Sequence, residues 1–79
     1  MEITLNSRGF KTADFVDLDG EPCSIKESSL ATENAIWLGL NEGTHVRGSC
    51  LARMHLTQEM VSNLLPTLKY FAKHGQLPG

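Results

Sequence analysis

Apolar and polar residues alternate along the first half of the chain, where turn signals divide the sequence into short strands. The segment "FKTADFVDL" is rich in Phe, Thr and Val and is followed by Asp19-Gly20, a dipeptide that favours a β-hairpin because glycine accepts a positive φ. We therefore expect "CSIKESSL" to pair back antiparallel to it, with Pro22 at the start of the strand, where proline disturbs the ladder least. The earlier segment "EITL" could be a further short strand or a loose arm.

The third predicted strand is "AIWLGLN", the most apolar run of the chain. Because side chains alternate between the two faces of a strand, Ile36, Leu38 and Leu40 should share one face and Trp37 should lie on the other.

A long connection over residues 41–52 leads to "RMHL", which we interpret as a short fourth strand. The same alternation directs Met54 and Leu56 inward and leaves Arg53 and His55 outward. This arrangement would place the two basic side chains on the same side of the sheet.

The C-terminal segment predicts a helix that begins after Thr57 and runs to about His74. Thr57 is a plausible N-cap, Glu59 suits the positive first turn, and Gly75 can end the helix in a left-handed conformation. Apolar residues recur at helical spacing, so this side should lie across the sheet; they are Val61, Leu64, Leu65, Leu68, Phe71 and Ala72. Pro66 cannot donate a backbone hydrogen bond, and a kink is predicted there.

These elements predict an α+β fold: a small antiparallel sheet of three to four strands packed by one C-terminal helix kinked at Pro66. With 79 residues, we expect a single domain over residues 1–79. A chain of this length buries a small core, and self-association would be a natural remedy.

Charge is distributed unevenly along the chain, although the formal net charge is only −2. The segment 14–33 has one base, Lys26, against its acids, which are Asp14, Asp17, Asp19, Glu21, Glu27 and Glu33. From residue 44 onward, bases outnumber acids. Such bands are commonly solvated surfaces, and they can also steer a charged partner.

Catalytic and metal-binding patterns are not recognisable. Cys23, His45, Cys50 and His55 lack the close pairs typical of structural zinc sites, and phosphate-cradling glycine motifs are absent. Both cysteines are interpreted as thiols of a reducing cytosol. We therefore expect no metal, no cofactor and no enzymatic activity.

A nucleophilic site would have to combine Ser28 or Ser29 with His55 and with Glu33 or Asp14. Such residues occur by chance in any chain, and no nucleophile-elbow pattern is present. The structural alternative is that the serines bind free backbone groups in a hydrogen-bonded corner formed by "ESSLATEN".

The same polar residues could line a shallow site. Its candidate ligand-binding residues are Ser28, Ser29, Trp37, Arg53 and His55. They combine hydroxyl and cationic donors for an anion with one aromatic ring for stacking. The alternative is an ordinary surface with Trp37 half-buried. Direct nucleic-acid binding is not expected, because most of the five aromatic residues are needed in the core.

Two ordered patterns resemble a family of small proteins encoded by bacteriophages and prophages. The first, F-x-D-x-x-G-x-x-C-S-I-x-x-S-S-L-A-T-E-x-x-I-W-L-G, occupies residues 15–39, and the second, R-M-H-L-T-x-x-x-V-x-x-L-L-P-x-L-x-x-F-x-x-x-G, occupies residues 53–75. The resemblance implies an accessory protein in the cytoplasm of a bacterial host. Inhibitors of bacterial immunity, including anti-CRISPR proteins and sponges for nucleotide signals, belong to this class. The spacer between the patterns is shorter here than in many family members.

Two functional hypotheses follow. The first is a non-catalytic, anti-CRISPR-like inhibitor that binds a bacterial defence protein or nuclease stoichiometrically. Its contact residues would be Asp14, Asp17, Asp19, Glu21 and Glu27, since acidic groups suit a surface that normally binds nucleic acid. The alternative is an oligomeric sponge that holds a phosphate-bearing nucleotide with Arg53, His55, Ser28 and Ser29 and stacks a base on Trp37.

Overall fold

A computed structural model of the protein describes residues 1–29, 32–41 and 53–79. Five antiparallel strands form one sheet in the order β1-β2-β3-β4-β5, and one helix follows. The elements are β1 (Thr4–Leu5), β2 (Lys11–Val16), β3 (Pro22–Glu27), β4 (Ala35–Leu40), β5 (Arg53–Thr57) and α1 (Gln58–His74). The α+β class is confirmed. The predicted count of three to four strands was wrong, because "EITL" contributes the edge strand β1.

The turn between β2 and β3 explains why these strands form a hairpin. The carboxylate of Asp17 accepts hydrogen bonds from the backbone N–H groups of Asp19 and Glu21, each at 2.9 Å. Gly20 follows with a φ of 83°, and its N–H donates to the carbonyl of Asp17. This confirms the hairpin predicted from Asp19-Gly20, with Asp17 as the residue that closes the turn.

The turn between β1 and β2 has the same construction. The side-chain oxygen of Asn6 accepts from the N–H groups of Arg8 and Phe10 at 2.9 and 3.1 Å. Gly9 has a φ of 84° and donates its N–H to the carbonyl of Asn6. The segments "NSRG" and "DLDG" are thus equivalent turns, and the first one returns residues 4–5 to the edge of β2.

Strand register assigns the side chains to two faces. Thr12 is opposite Lys26, Lys26 is opposite Trp37, and Trp37 is opposite His55, so these residues form one row across four strands. We call their side of the sheet the polar face; it also carries Asp14, Ser24 and Arg53. The other side is the apolar face, which carries Ala13, Phe15, Cys23, Ile25, Ile36, Leu38, Leu40, Met54 and Leu56.

The core of a single chain is small. Among the described residues, the buried hydrophobic side chains are Ala13 and Cys23, both in the middle strands. Most of the other apolar-face residues are half-buried, and Met54 at the β5 edge is 54% exposed. The described residues therefore cover the apolar face only in part.

Helix α1 begins and ends where the sequence predicts. The hydroxyl of Thr57 accepts a hydrogen bond from the N–H of Met60 at 3.2 Å, which confirms Thr57 as the N-cap. Gly75 adopts the left-handed conformation with a φ of 74° and donates its N–H to the carbonyl of Phe71. The helical assignment is continuous through Pro66, and the kink there stays a prediction.

The predicted packing of this helix across the sheet is wrong for a single chain. None of its 17 residues is buried, and its contacts with the sheet are made chiefly with β5. Thr57 is both the last residue of β5 and the helix N-cap, so no connecting residues are available to turn the helix back. The radius of gyration is accordingly 13.9 Å, against about 11.6 Å for a compact domain of this length.

Candidate functional site

The centre of the polar face is a stack of two aromatic rings. Trp37 on β4 and His55 on β5 are directly opposite each other in the antiparallel ladder. Their ring centroids are 3.8 Å apart and their planes differ by only 6°. Trp37 is half-buried and His55 is exposed, so the imidazole forms the outer layer of the stack.

Arg53 joins this stack through the same indole. It precedes His55 by two residues on β5, which places both side chains on the polar face. The guanidinium carbon lies 4.6 Å from the centroid of the Trp37 ring, within the range of a cation–π interaction. The indole thus holds a half-buried cation beside the imidazole.

Ser28 connects the stack to the β3–β4 corner. Its backbone N–H donates to the carbonyl of Ala35 at 2.9 Å, and its hydroxyl lies 2.9 Å from Nε2 of His55. On the far side of the corner, the carbonyl of Asn34 accepts from the N–H of Gln58 at the start of α1. The described part of "ESSLATEN" is thus the hydrogen-bonded corner that the sequence predicts beside His55; residues 30 and 31 lie outside the described residues.

Lys26 is a member of the cluster that sequence reasoning missed. It faces Trp37 from the β3 side, opposite His55 on the β5 side, and it is half-buried. Its place in the cluster follows from the register of the β3–β4 pair. That register is a long-range property, and the alternation of side chains within one strand does not reveal it. We define the Trp37 cluster as Lys26, Ser28, Trp37, Arg53 and His55.

The predicted ligand-binding residues are therefore largely brought together. Ser28, Trp37, Arg53 and His55 are all members of the Trp37 cluster, although up to 27 residues separate them in the chain. Ser29 follows Ser28 and is exposed at the edge of the same corner. The indole is surrounded by a guanidinium, an ammonium, an imidazole and a hydroxyl. Such groups can bind phosphate oxygens next to a flat ring.

The Ser28–His55 pair also bears on nucleophilic catalysis. A serine activated by a histidine needs a third group that orients the imidazole. Asp14, one of the two carboxylates considered from the sequence, lies on β2, three strand spacings from β5, or about 14 Å. The alternative, Glu33, is an exposed residue of the corner.

The predicted acidic contact residues do not form one surface. Asp17, Asp19 and Glu21 belong to the β2–β3 turn, whereas Glu27 is at the other end of β3. The length of β3 separates these positions by about 17 Å. Asp14 pairs with Ser24, an odd number of residues from Glu27, so Asp14 and Glu27 are on opposite faces.

Two of the acidic side chains stabilise the local backbone. Asp17 accepts the two hydrogen bonds that close the β2–β3 turn. One carboxylate oxygen of Glu27 accepts from the backbone N–H of Lys11 at 2.7 Å, next to the edge strand. Asp14 and Asp19 are exposed, and Glu21 is half-buried.

Cys23 is a buried thiol on the apolar face. Burial raises its pKa above the usual value of 9.0, and the nearby Asp17 carboxylate raises it further. Its sulfur donates to the carbonyl of Glu21 at 3.5 Å. Of the other zinc candidates, His45 and Cys50 lie outside the described residues. Among residues 1–29, 32–41 and 53–79, no three His, Cys, Asp or Glu side chains are placed to share a metal ion.

Comparison of the chain with protein families, with curated proteins and with solved structures finds no match. Within the described part of the chain, no helix combines the length and hydrophobicity that a membrane crossing requires.

Proposed function

We propose that this protein is a non-catalytic, phage-type anti-defence protein that holds a phosphate-bearing nucleotide signal at the Trp37 cluster. The observation that supports this function is the convergence of Ser28, Trp37, Arg53 and His55 around one indole ring. The anti-defence role is based on the resemblance of the two sequence patterns to phage and prophage proteins.

Each member of the cluster has a chemical role in this proposal. The guanidinium of Arg53 offers paired N–H donors that match two phosphate oxygens, and its contact with Trp37 limits the conformations it must give up on binding. Lys26 adds a second cation from the other side of the indole. The exposed face of His55 continues the existing ring stack, so a nucleobase can add to it.

The experiment is a binding titration with a panel of linear and cyclic nucleotides, followed by heat denaturation and mass analysis of the released ligand. A sponge returns the nucleotide intact and saturates at a fixed stoichiometry, whereas an enzyme using Ser28 and His55 returns a changed mass. No binding by any phosphate-bearing nucleotide would contradict the proposal. A changed mass would replace it with catalysis.

A matched pair of arginine variants isolates the site. Arg53→Ala should weaken nucleotide binding by about 10- to 100-fold, because a charge-assisted phosphate contact is removed. Arg8→Ala is the control, since Arg8 also lies over an aromatic ring, 5.7 Å from the centroid of Phe10, but in the β1–β2 turn. Equal effects of the two substitutions would indicate a general charge effect.

The second candidate function is stoichiometric inhibition of a bacterial defence protein or nuclease. It is favoured by the exposure of Asp14 and Asp19 near one end of the sheet, where Glu21 adds a third carboxylate. These groups could occupy a basic surface that normally binds nucleic acid.

Its test replaces Asp14, Asp19 and Glu21 with their amides and leaves Asp17 in place, because Asp17 closes the turn. The amides of Glu2 and Glu59, which are exposed elsewhere, provide the control. Loss of inhibition in the first variant alone would support the acidic contact. Inhibition that persists in both variants would exclude it.

A further inference from the structure

Helix α1 presents an apolar side that residues 1–29, 32–41 and 53–79 leave largely exposed. The apolar residues of this side lie within about a third of the helix circumference at a rotation of about 100° per residue. Leu64 and Leu65 are 41% and 42% exposed, and Leu68 and Phe71 are 54% and 52% exposed. Only Val61 in the first turns is half-buried, where it lines a groove with Ile36 and Leu56.

The amount of exposed surface matches a missing interface. A folded monomer of 8.7 kDa is expected to expose about 4,700 Å². The chain exposes 6282 Å². The excess is roughly 1,500 Å², about twice the 800 Å² that each partner buries in a standard interface and within the range of obligate homodimers.

The chain cannot remove this excess by folding the helix back. Thr57 ends β5 and caps α1, whereas strand-to-helix connections that reverse direction normally need two or more residues. In agreement with this direct junction, α1 contacts the sheet chiefly through β5.

From these observations we infer that a second copy of this chain covers the apolar side of α1, in a two-fold symmetric dimer. A two-fold interface uses the same patch on both molecules. The described part of this chain leaves two apolar surfaces exposed, the apolar side of α1 and the adjoining apolar face, and these complement one another. The Trp37 cluster is on the opposite face of the sheet, so the dimer does not depend on nucleotide binding.

The test is the mass of the full chain in solution, measured by light scattering and sedimentation over about 1 to 100 µM, a range over which a dimer of micromolar dissociation constant changes its population. We expect twice the chain mass or an even multiple of it. Dilution should reduce helicity at the same concentration at which the mass falls. A monomer across the range, or a trimer, would overturn the inference.

Leu68→Glu should raise the dissociation constant by about 100-fold, because it buries an unpaired charge in the interface. Leu18→Glu is the control, since Leu18 is fully exposed in the β2–β3 turn.

If Leu68→Glu does not fold, hydrogen exchange of the wild type tests the dimer instead. Backbone amides over residues 64–71 should be protected at high concentration and exchange rapidly on dilution. Protection that persists in a monomer, or capture of a different protein with no self-association, would overturn the second copy as occupant.

Discussion

The two faces of the sheet differ in how far one chain completes their contacts. On the polar face, the Trp37 ring centroid lies 3.8 Å from that of His55 and 4.6 Å from the guanidinium carbon of Arg53. Nε2 of His55 lies 2.9 Å from the hydroxyl oxygen of Ser28. On the apolar side, no residue of α1 is buried, and Leu68 is half exposed. The side chains of the Trp37 cluster are thus already assembled within one chain, whereas the apolar surfaces retain the exposure expected of one half of an interface.

The largest loss of stability should come from shortening a side chain on the exposed apolar side of α1. Leu64→Ala is expected to lower the free energy of unfolding by about 2–3 kcal/mol, because a leucine covered by a second copy loses its contacts. Leu18→Ala should change it by less than about 0.5 kcal/mol, since Leu18 is fully exposed. Urea denaturation at one protein concentration measures both. Equal effects would contradict the assignment of α1 to an interface.

A mutation on the polar face should act on ligand binding more than on folding. Trp37→Ala removes the ring that supports the His55 imidazole and the Arg53 guanidinium, and nucleotide affinity should fall by about 10- to 100-fold because the imidazole no longer holds a stacking position for the base. Trp37→Phe keeps a flat ring and should retain most of the affinity. Calorimetric titration of both variants measures the difference. An alanine variant that binds as well as the phenylalanine variant would remove Trp37 from the site.

The two turns allow the contribution of a single side-chain acceptor to be measured. Asp17→Ala should destabilise the fold by about 1–2 kcal/mol, because two backbone N–H groups lose their acceptor. Asp17→Asn should cost much less, since Asn6 performs the same role in the β1–β2 turn. Thermal unfolding separates the variants. If asparagine is as destabilising as alanine, the negative charge of Asp17 is what stabilises the turn.

Much of the fold could be predicted because its signals are local. The N-cap Thr57, the left-handed Gly75 and the Asp19-Gly20 turn each depend on a few neighbouring residues, and all three are confirmed. The alternation of apolar and polar residues does not identify the short strand Thr4–Leu5, because two residues carry little alternation of their own and depend on the Asn6 turn for pairing.

The remaining features depend on long-range geometry. Strand alternation placed Trp37, Arg53 and His55 outside the apolar face, but only the β3–β4 register brings Lys26 to the same indole. A helical apolar stripe indicates that a side is buried, and it does not specify which molecule buries it. The direct junction at Thr57 limits how far the helix can fold back onto its own sheet. This limit becomes visible only when the end of the strand and the start of the helix are both known.

Substitution of Cys23 should have the smallest effect on stability, and its thiol reports whether solvent reaches the middle of the apolar face. Burial and the Asp17 carboxylate raise the pKa of its thiol above 9.0 in the folded protein. The raised value stabilises the fold below pH 9, and this contribution is lost as the pH rises through the folded pKa, because the unfolded chain ionises first. Stability should therefore decline above pH 9, and less so in Cys23→Ala.

Thiol alkylation of Cys23 should be slow near pH 8 and should accelerate in urea, because the folded chain buries the sulfur. Rapid alkylation of native Cys23 would show that solvent reaches the apolar face even between the paired strands β2 and β3.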